Sequence, residues 1–219
     1  MSHPKQFWLN TWQEGRIPFH QNAVNSDLIN YWPLLNLPRE TTVLVPLCGK
    51  SLDMLWLVEK GFHVVGIELS EVAVSQFAQE NNLSMTRTIK EDSIYYSTDF
   101  ISIWVVDIFH LGSNLITVDA IYDRASLIAL PKPLRQSYVD QCLQWLKPNG
   151  RILLKTISYT ENDIEGPPFS VTNEEVHELY KTCQIVNCIK SDKREFVSSE
   201  HLSTQGVREL IDYTWIIQY

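Results

Sequence analysis

Short runs rich in β-branched residues alternate along this chain with stretches whose apolar positions recur at helical spacing. The first run, residues 42–47, ends just before Gly49. A helical stretch over 51–60 follows, with Gly61 at the position of a helix carboxyl cap. Residues 63–68 predict the second strand. Ser70 stands where it can cap the next helix, in which Ala73, Val74, Phe77 and Ala78 share one face. Residues 84–98 are β-rich, and 101–107 and 118–123 read as further strands. Leu134, Tyr138, Cys142 and Trp145 mark a helix that Pro148-Asn149-Gly150 breaks, leading into a strand over 151–157. A last helix near 172–181 precedes two β runs, 183–190 and 212–218, with a polar loop and no helix between them. Upstream of all these, 22–31 carries Val24, Leu28 and Tyr31 at helical spacing and predicts core packing alone.

Strands alternating with helices of about ten residues imply βαβ units and a mostly parallel sheet. The runs Val43-Leu44-Val45 and Ile152-Leu153-Leu154 are apolar without alternation, as expected where helices cover both sheet faces. The ending differs, because two β runs joined without a helix suit an antiparallel pair. The expected fold is a doubly wound, Rossmann-like α/β sheet with an antiparallel carboxy-terminal edge. No repeat, low-complexity tract or linker divides the chain, so 1–219 is expected to be a single domain.

Composition narrows the function. Hydrophobic residues make up 44% of the 219 and charged residues 20%, enough for a sizeable core. Eighteen basic against 26 acidic side chains leave a net charge of -8 and a pI near 5.2, the wrong balance for a nucleic-acid groove. No apolar run reaches the ~20 residues of a membrane span, and Met1-Ser2-His3-Pro4-Lys5 lacks the apolar core of a signal peptide. A soluble cytoplasmic protein with neither nucleic-acid nor membrane partner is expected. Cys48, Cys142, Cys183 and Cys188 have no CxxC spacing or nearby His pair, which predicts inert thiols and no metal site.

In doubly wound sheets, ligands bind beyond the carboxyl ends of the strands. There the first strand runs into Pro46-Leu47-Cys48-Gly49-Lys50-Ser51, and the second ends at Glu68, 19 positions after Gly49. A glycine in such a turn lets the backbone approach a ligand, and a carboxylate at this spacing can accept hydrogen bonds from both hydroxyls of a ribose. A solvated strand-end acid is the bland alternative for Glu68. Three nucleotide chemistries compete. A dinucleotide dehydrogenase wants GxGxxG, and only Gly49 is present. A P-loop phosphotransferase finds Gly49-Lys50-Ser51 and a strand ending at Asp107, but its first glycine would fall on Leu44, and Pro46 removes a backbone donor. An S-adenosylmethionine methyltransferase needs no phosphate cradle, only the ribose acid and a polar residue near the adenine, where Asp107 and Ile108 stand.

Taken with Trp8-x-x-x-Trp12, the segment from Gly15 to Phe19-His20-Gln21, Tyr122-Asp123-Arg124-Ala125-Ser126-Leu127 and Gly166-Pro167-Pro168-Phe169, these motifs make the chain resemble the thiopurine S-methyltransferases, bacterial members above all. The resemblance runs from about Phe7 to Tyr180 and is weakest over 191–206. It implies a class I S-adenosylmethionine-dependent methyltransferase fold, with 1–21 as an amino-terminal lid over the cofactor, S-adenosyl-L-methionine. By the same resemblance Trp8 and Trp12 close over that cofactor, Leu47 and Gly49 line its methionine end, Glu68 holds the ribose, and Asp107 and Ile108 sit at the adenine. The family often carries Ser in place of Asp107. Arg124 is implied at the active site beside cofactor and acceptor, and Phe19 faces the acceptor. The implied partner is a small aromatic or heterocyclic thiol, thiopurines included. Selenium and tellurium compounds follow from some bacterial relatives, and a monomer from the family generally.

Elementary chemistry is consistent with these roles. Methyl transfer from a sulfonium is an in-line displacement, so the protein chiefly aligns the reactants and excludes water. A thiol acceptor must become a thiolate, which a guanidinium at Arg124 favours without acting as a base. His20 is a candidate proton carrier, and aromatic faces at Trp8 and Trp12 attract a sulfonium charge. Against each stands a plainer reading: Trp8, Trp12 and Phe19 as core packing, Arg124 as a partner of Asp123 or another acid, His20 satisfied by backbone. A protein that binds the cofactor without catalysis also stays open.

Overall fold

The computed structural model describes residues 4–159, 166–195, 200–204 and 206–219. Helices α1 (Pro4–Gln13) and α2 (Ser26–Tyr31) precede β1 (Thr42–Val45), α3 (Asp53–Glu59), β2 (His63–Glu68) and α4 (Glu71–Glu80). A hairpin of β3 (Thr86–Lys90) and β4 (Ser93–Ser97) leads to β5 (Ile101–Val105), β6 (Val118–Asp123), α5 (Lys132–Trp145) and β7 (Leu146–Ser158). The chain continues through α6 (Asn173–Leu179), β8 (Ile185–Arg194), α7 (Glu200–Thr204) and β9 (Leu210–Gln218). Among the described residues nine strands form one sheet in the order β3-β4-β5-β2-β1-β6-β7-β9-β8. Pairing is parallel from β5 through β2, β1 and β6 to β7, and antiparallel at both edges.

The unalternated apolar runs have the expected cause. Val43, Val45, Val64, Ile103 and Leu153 face one side of the sheet with Leu28 of α2, Met54 and Leu57 of α3 and Phe77 of α4. Leu44, Ile67, Ile121, Ile152 and Leu154 face the other side with Tyr138, Val139 and Trp145 of α5. Two cores thus share each strand, and each fully buried Leu, Ile or Val contributes about 1.5–3 kcal/mol. Gly61, at φ +91, ends α3 as a left-handed cap and donates its N–H to Val58 O at 2.9 Å.

Several expectations need correction. The carboxy-terminal runs are antiparallel as expected, but α7, five residues long, stands between them. Pro148-Asn149-Gly150 is taken up inside β7, which starts at Leu146. Asn149 adopts φ +64, donates to Tyr219 O at 3.0 Å, and Gly150 O accepts from Tyr219 N, so the helix ends at Trp145 and the strand begins ahead of the expected breaker. Ser70 occupies the cap position of α4 without a side-chain cap hydrogen bond, and its backbone N–H is given to Glu68. Residues 1–3 of the expected lid, and 196–199 and 205 of the weakly matching tract, lie outside the described residues. No described helix is long and apolar enough to cross a membrane.

The α2 segment does more than pack. Asp27, buried beside Leu28, meets Lys155 of β7, accepts from Lys190 Nζ at 2.8 Å on β8, and accepts from Thr214 Oγ1 at 3.2 Å on β9. Lys155 Nζ also reaches Asp212 Oδ1 at 2.7 Å. Burial works to raise the Asp27 carboxyl, but the two ammonium groups outweigh it and hold it below the usual range.

Candidate functional site

The carboxyl ends of β1, β2, β5 and β6 converge, and each strand is followed by a turn that presents backbone or charge. After β1, Leu47 (φ +44) and Gly49 (φ +52) both enter the left-handed region. For Leu47 that is a costly conformation, of the kind held at ligand-binding turns. Gly49 is required for a second reason: a Cβ there would lie 3.0 Å from Cζ2 of Trp12. After β6, Ala125 is left-handed as well, and Ser126 Oγ donates to Pro46 O at 2.6 Å, tying the two turns together.

Glu68 is buried at the end of β2. Its Oε2 accepts from Gly49 N and its Oε1 from Ser70 N, each at 2.8 Å. Desolvation raises its pKa, opposed by the N–H groups of Ser70, Gly49 and Leu69. Each oxygen spends one lone pair on the backbone and keeps another for a hydroxyl. Alongside lies a cavity of about 350 Å³ lined by Leu69, Val106 and Asp107, by Ile94 of the β3–β4 hairpin, and by Lys5 and Leu9 of α1. A slot of mixed apolar and polar lining next to a strand-end acid suits a nucleoside, and the turn after β1 is poorly equipped for a phosphate. Gly49 N is committed to Glu68, Pro46 has no N–H, and Lys50 Nζ lies 2.6 Å from Glu80 Oε1. The P-loop alternative loses its phosphate lysine on that contact.

The amino-terminal aromatics sit together over the turn. Phe19 packs edge-on against both indoles, 5.5 Å from Trp8 and 5.6 Å from Trp12. Trp12 is buried on Gly49, so core packing and a place at the turn are the same contact. His20 follows Phe19; burial, then the charge of Lys50, lower its pKa and keep the imidazole neutral at pH 7.

Arg124, just beyond β6, pairs with Asp53 and not with Asp123. Its Nε donates to Asp53 Oδ2 at 2.7 Å and its Nη2 to Ser51 Oγ at 3.0 Å. Burial alone would favour loss of the guanidinium proton, but Asp53 and Tyr122 outweigh it and hold the pKa above its ordinary value. Asp123 turns inward, accepting from Tyr138 OH at 2.6 Å and Leu127 N at 3.2 Å, and burial pushes it up to about 6. The Gly166-Pro167-Pro168-Phe169 loop is pinned close by: Phe169 N donates to Ile128 O at 2.7 Å and Tyr159 OH to Pro168 O at 2.8 Å.

Most of the expected residues are therefore neighbours. Asp107 lines the cavity, yet its carboxylate already caps the turn that follows, accepting from Phe109 N at 3.2 Å. Ile108 sends its side chain into the core near Trp104 and Ile67, leaving only its backbone for an adenine. Sequence reasoning passed over Asp53, Ser51 and Tyr122, which hold Arg124, and Leu69, Val106 and Leu9, which wall the cavity. Leu69 and Val106 were available as the apolar residues following two strand ends. Nothing local marks Asp53, because its partner is 71 positions away.

A profile of the family described as Thiopurine S-methyltransferase (TPMT) matches residues 3–218. A protein named thiopurine S-methyltransferase from Legionella pneumophila (strain Paris) is 51% identical over 219 residues, covering 100% of this chain and 99% of that protein. One of the same name from Photobacterium profundum is 40% identical over 214 residues, covering 97% of this chain and 98% of that protein. Among solved structures, magnesium protoporphyrin IX methyltransferase from Synechocystis PCC 6803 superposes with a TM-score of 0.66 at 12% identity, covering 99% of each chain. That likeness extends to the class I methyltransferase fold and no further.

Proposed function

The chain belongs to the thiopurine S-methyltransferase family, and from that membership we propose that it transfers a methyl group from S-adenosyl-L-methionine to the sulfur of small aromatic or heterocyclic thiols, thiopurines among them. The observation that carries the reading is Glu68, buried, fixed by two backbone N–H groups, and standing beside a cavity of about 350 Å³. The cofactor supplies an activated methyl on a sulfonium. The protein's own residues do the rest. Glu68 holds the ribose hydroxyls, Leu69 and Val106 flank the adenine, and Leu47 and Gly49 bring backbone to the methionine end. Trp8 and Trp12 exclude water and place aromatic faces near the positive sulfur.

Arg124 is the catalytic residue in this reading. Its guanidinium favours the thiolate form of the acceptor and fixes its approach, while the proton leaves before or during attack. His20, neutral at pH 7, is the candidate carrier for that proton in this reading. Phe19 and the Gly166–Phe169 loop bound the acceptor. We further assign all of 1–219 to one domain with 1–21 as the lid, acting as a monomer in the cytoplasm. Selenium and tellurium anions, softer homologues of a thiolate, are acceptors of the same kind.

The test is mass-spectrometric detection of S-methyl product from 6-mercaptopurine and S-adenosyl-L-methionine, with Glu68→Ala in parallel. Product from the wild type, and cofactor affinity reduced by about 1–3 kcal/mol in the variant, are expected. Cofactor binding without product would move the acceptor away from thiopurines. Unchanged affinity in Glu68→Ala would remove Glu68 from the ribose.

A further inference from the structure

The guanidinium of Arg124 does not choose its own orientation. Asp53, 1% exposed at the start of α3, collects three donors from two distant parts of the chain. Oδ2 accepts from Arg124 Nε at 2.7 Å and from Tyr122 OH at 3.1 Å, and Oδ1 accepts from the backbone N–H of Asn25 at 2.8 Å. Ser51 Oγ completes the frame, accepting from Arg124 Nη2 at 3.0 Å and from Asp53 N at 3.3 Å. Two guanidinium nitrogens are thereby held by two fixed acceptors, which defines the plane of the group as well as its position. Tyr122 stays a donor at any ordinary pH, since burial, then the Asp53 charge, push its hydroxyl well above its usual range.

The third donor gives the arrangement its second function. Asn25 caps α2 through its side chain, accepting from Asp27 N at 3.0 Å, and it ends the connection from the aromatic cluster of Trp8, Trp12 and Phe19. One carboxylate therefore joins the base of the amino-terminal segment to the guanidinium.

We infer that Asp53 is a positioning residue for methyl transfer, setting the orientation of Arg124 and tying it to the docking of the amino-terminal segment through Asn25. The inference rests on the reading of Arg124 as catalytic. A displacement of about 1 Å at a reacting group lowers rates by about 10²-fold, so a carboxylate that fixes a guanidinium is felt in turnover although it touches no substrate.

The experiment is a double-mutant cycle with Asp53→Asn and Arg124→Lys, read as kcat, acceptor KM and cofactor affinity. Asp53→Asn is expected to lower kcat by roughly 10- to 100-fold with cofactor affinity within about 2-fold of wild type, and to lower it no further in the Arg124→Lys background. A purely structural Asp53 would lower kcat equally in both backgrounds, and that additivity, or wild-type kcat in Asp53→Asn, overturns the inference. Should Asp53→Asn fail to fold, Tyr122→Phe carries the test: a fall in kcat that vanishes in Arg124→Lys supports it, and an unchanged kcat rejects it. Slowed exchange of the Arg124 Nε–H by ¹⁵N NMR separates this inference from the proposed activity. If no thiol is methylated by the wild type, the proposed function falls. The positioning contact is then judged on whether that slowed exchange is present in the wild type and lost in Asp53→Asn.

Discussion

Among the described residues, Arg135 is buried and Arg124 partly buried against a carboxylate, and the two are used differently. Arg135, on α5, is spent on structure. Its Nε donates to Leu130 O, its Nη1 to Ser170 O and to both oxygens of Glu175 at 2.8 Å, and its guanidinium lies over the Phe169 ring. Only 3% of its side chain meets solvent. Arg124 is held by one carboxylate and one hydroxyl and leaves 14% of its side chain open. The first cation is structural, a rivet between α5, α6 and the Gly166–Phe169 loop. The second is fixed on one side and presented on the other, as a group that must meet a ligand requires. Pairing with a carboxylate is thus a poor guide to function until the cation's remaining exposure is read beside it.

Arg135→Met tests the rivet and should produce the largest effect. Removing one partner of a buried pair leaves Glu175 uncompensated, which costs about 3–5 kcal/mol. Thermal unfolding should show the melting temperature falling by roughly 10 °C, and cofactor binding measured below that transition should persist. Arg124→Lys should invert the pattern. The charge remains but the planar fork to Asp53 and Ser51 is lost, so kcat/KM is expected to fall by about 10²-fold, with a far smaller change in melting temperature. If Arg124→Lys melts as Arg135→Met does, the distinction between presented and spent cations fails.

Asp123 offers a smaller, pH-dependent effect next door to Arg124. Its folded pKa of about 6 lies above the ordinary 3.8, because burial opposes its ionisation. The folded state therefore binds this proton more tightly, and the associated stability is present at low pH and lost as pH rises through about 6. Asp123→Asn cannot ionise. Its melting temperature relative to wild type should climb between pH 4 and 7 by the equivalent of roughly 2 kcal/mol, then level off. A gap that is flat across that window would show that Asp123 does not titrate there.

The parallel centre was legible because periodicity and turn residues are local. Val43 to Val45, Gly61 and the Glu68 strand end each declare themselves within a few positions. The β3–β4 hairpin was visible only as a β-rich stretch, since hairpin register depends on partners as well as pattern. The short α7 escaped because five residues carry too little periodicity to read. At the site, residues fixed by a motif were found, and residues fixed by a distant partner were not. Glu68 and Gly49 meet across 19 positions within one βαβ unit. Asp53 and Arg124 meet across 71, and Arg135 and Glu175 across 40, through contacts that only the folded sheet creates. Asp27 is the extreme case, with α2 read as apolar packing while its acid waited for Lys155, Lys190 and Thr214.

The Asp27 cluster also joins the two ends of the chain. A ribosome releases α1 and α2 first, yet the groups that compensate the buried charge of Asp27 lie on β7, β8 and β9, and Thr214 is 187 positions downstream. The chain up to β6 holds four of the five parallel strands but none of the groups set against that carboxylate. One of the first helices made therefore carries a buried charge whose partners all belong to the last three strands of the sequence.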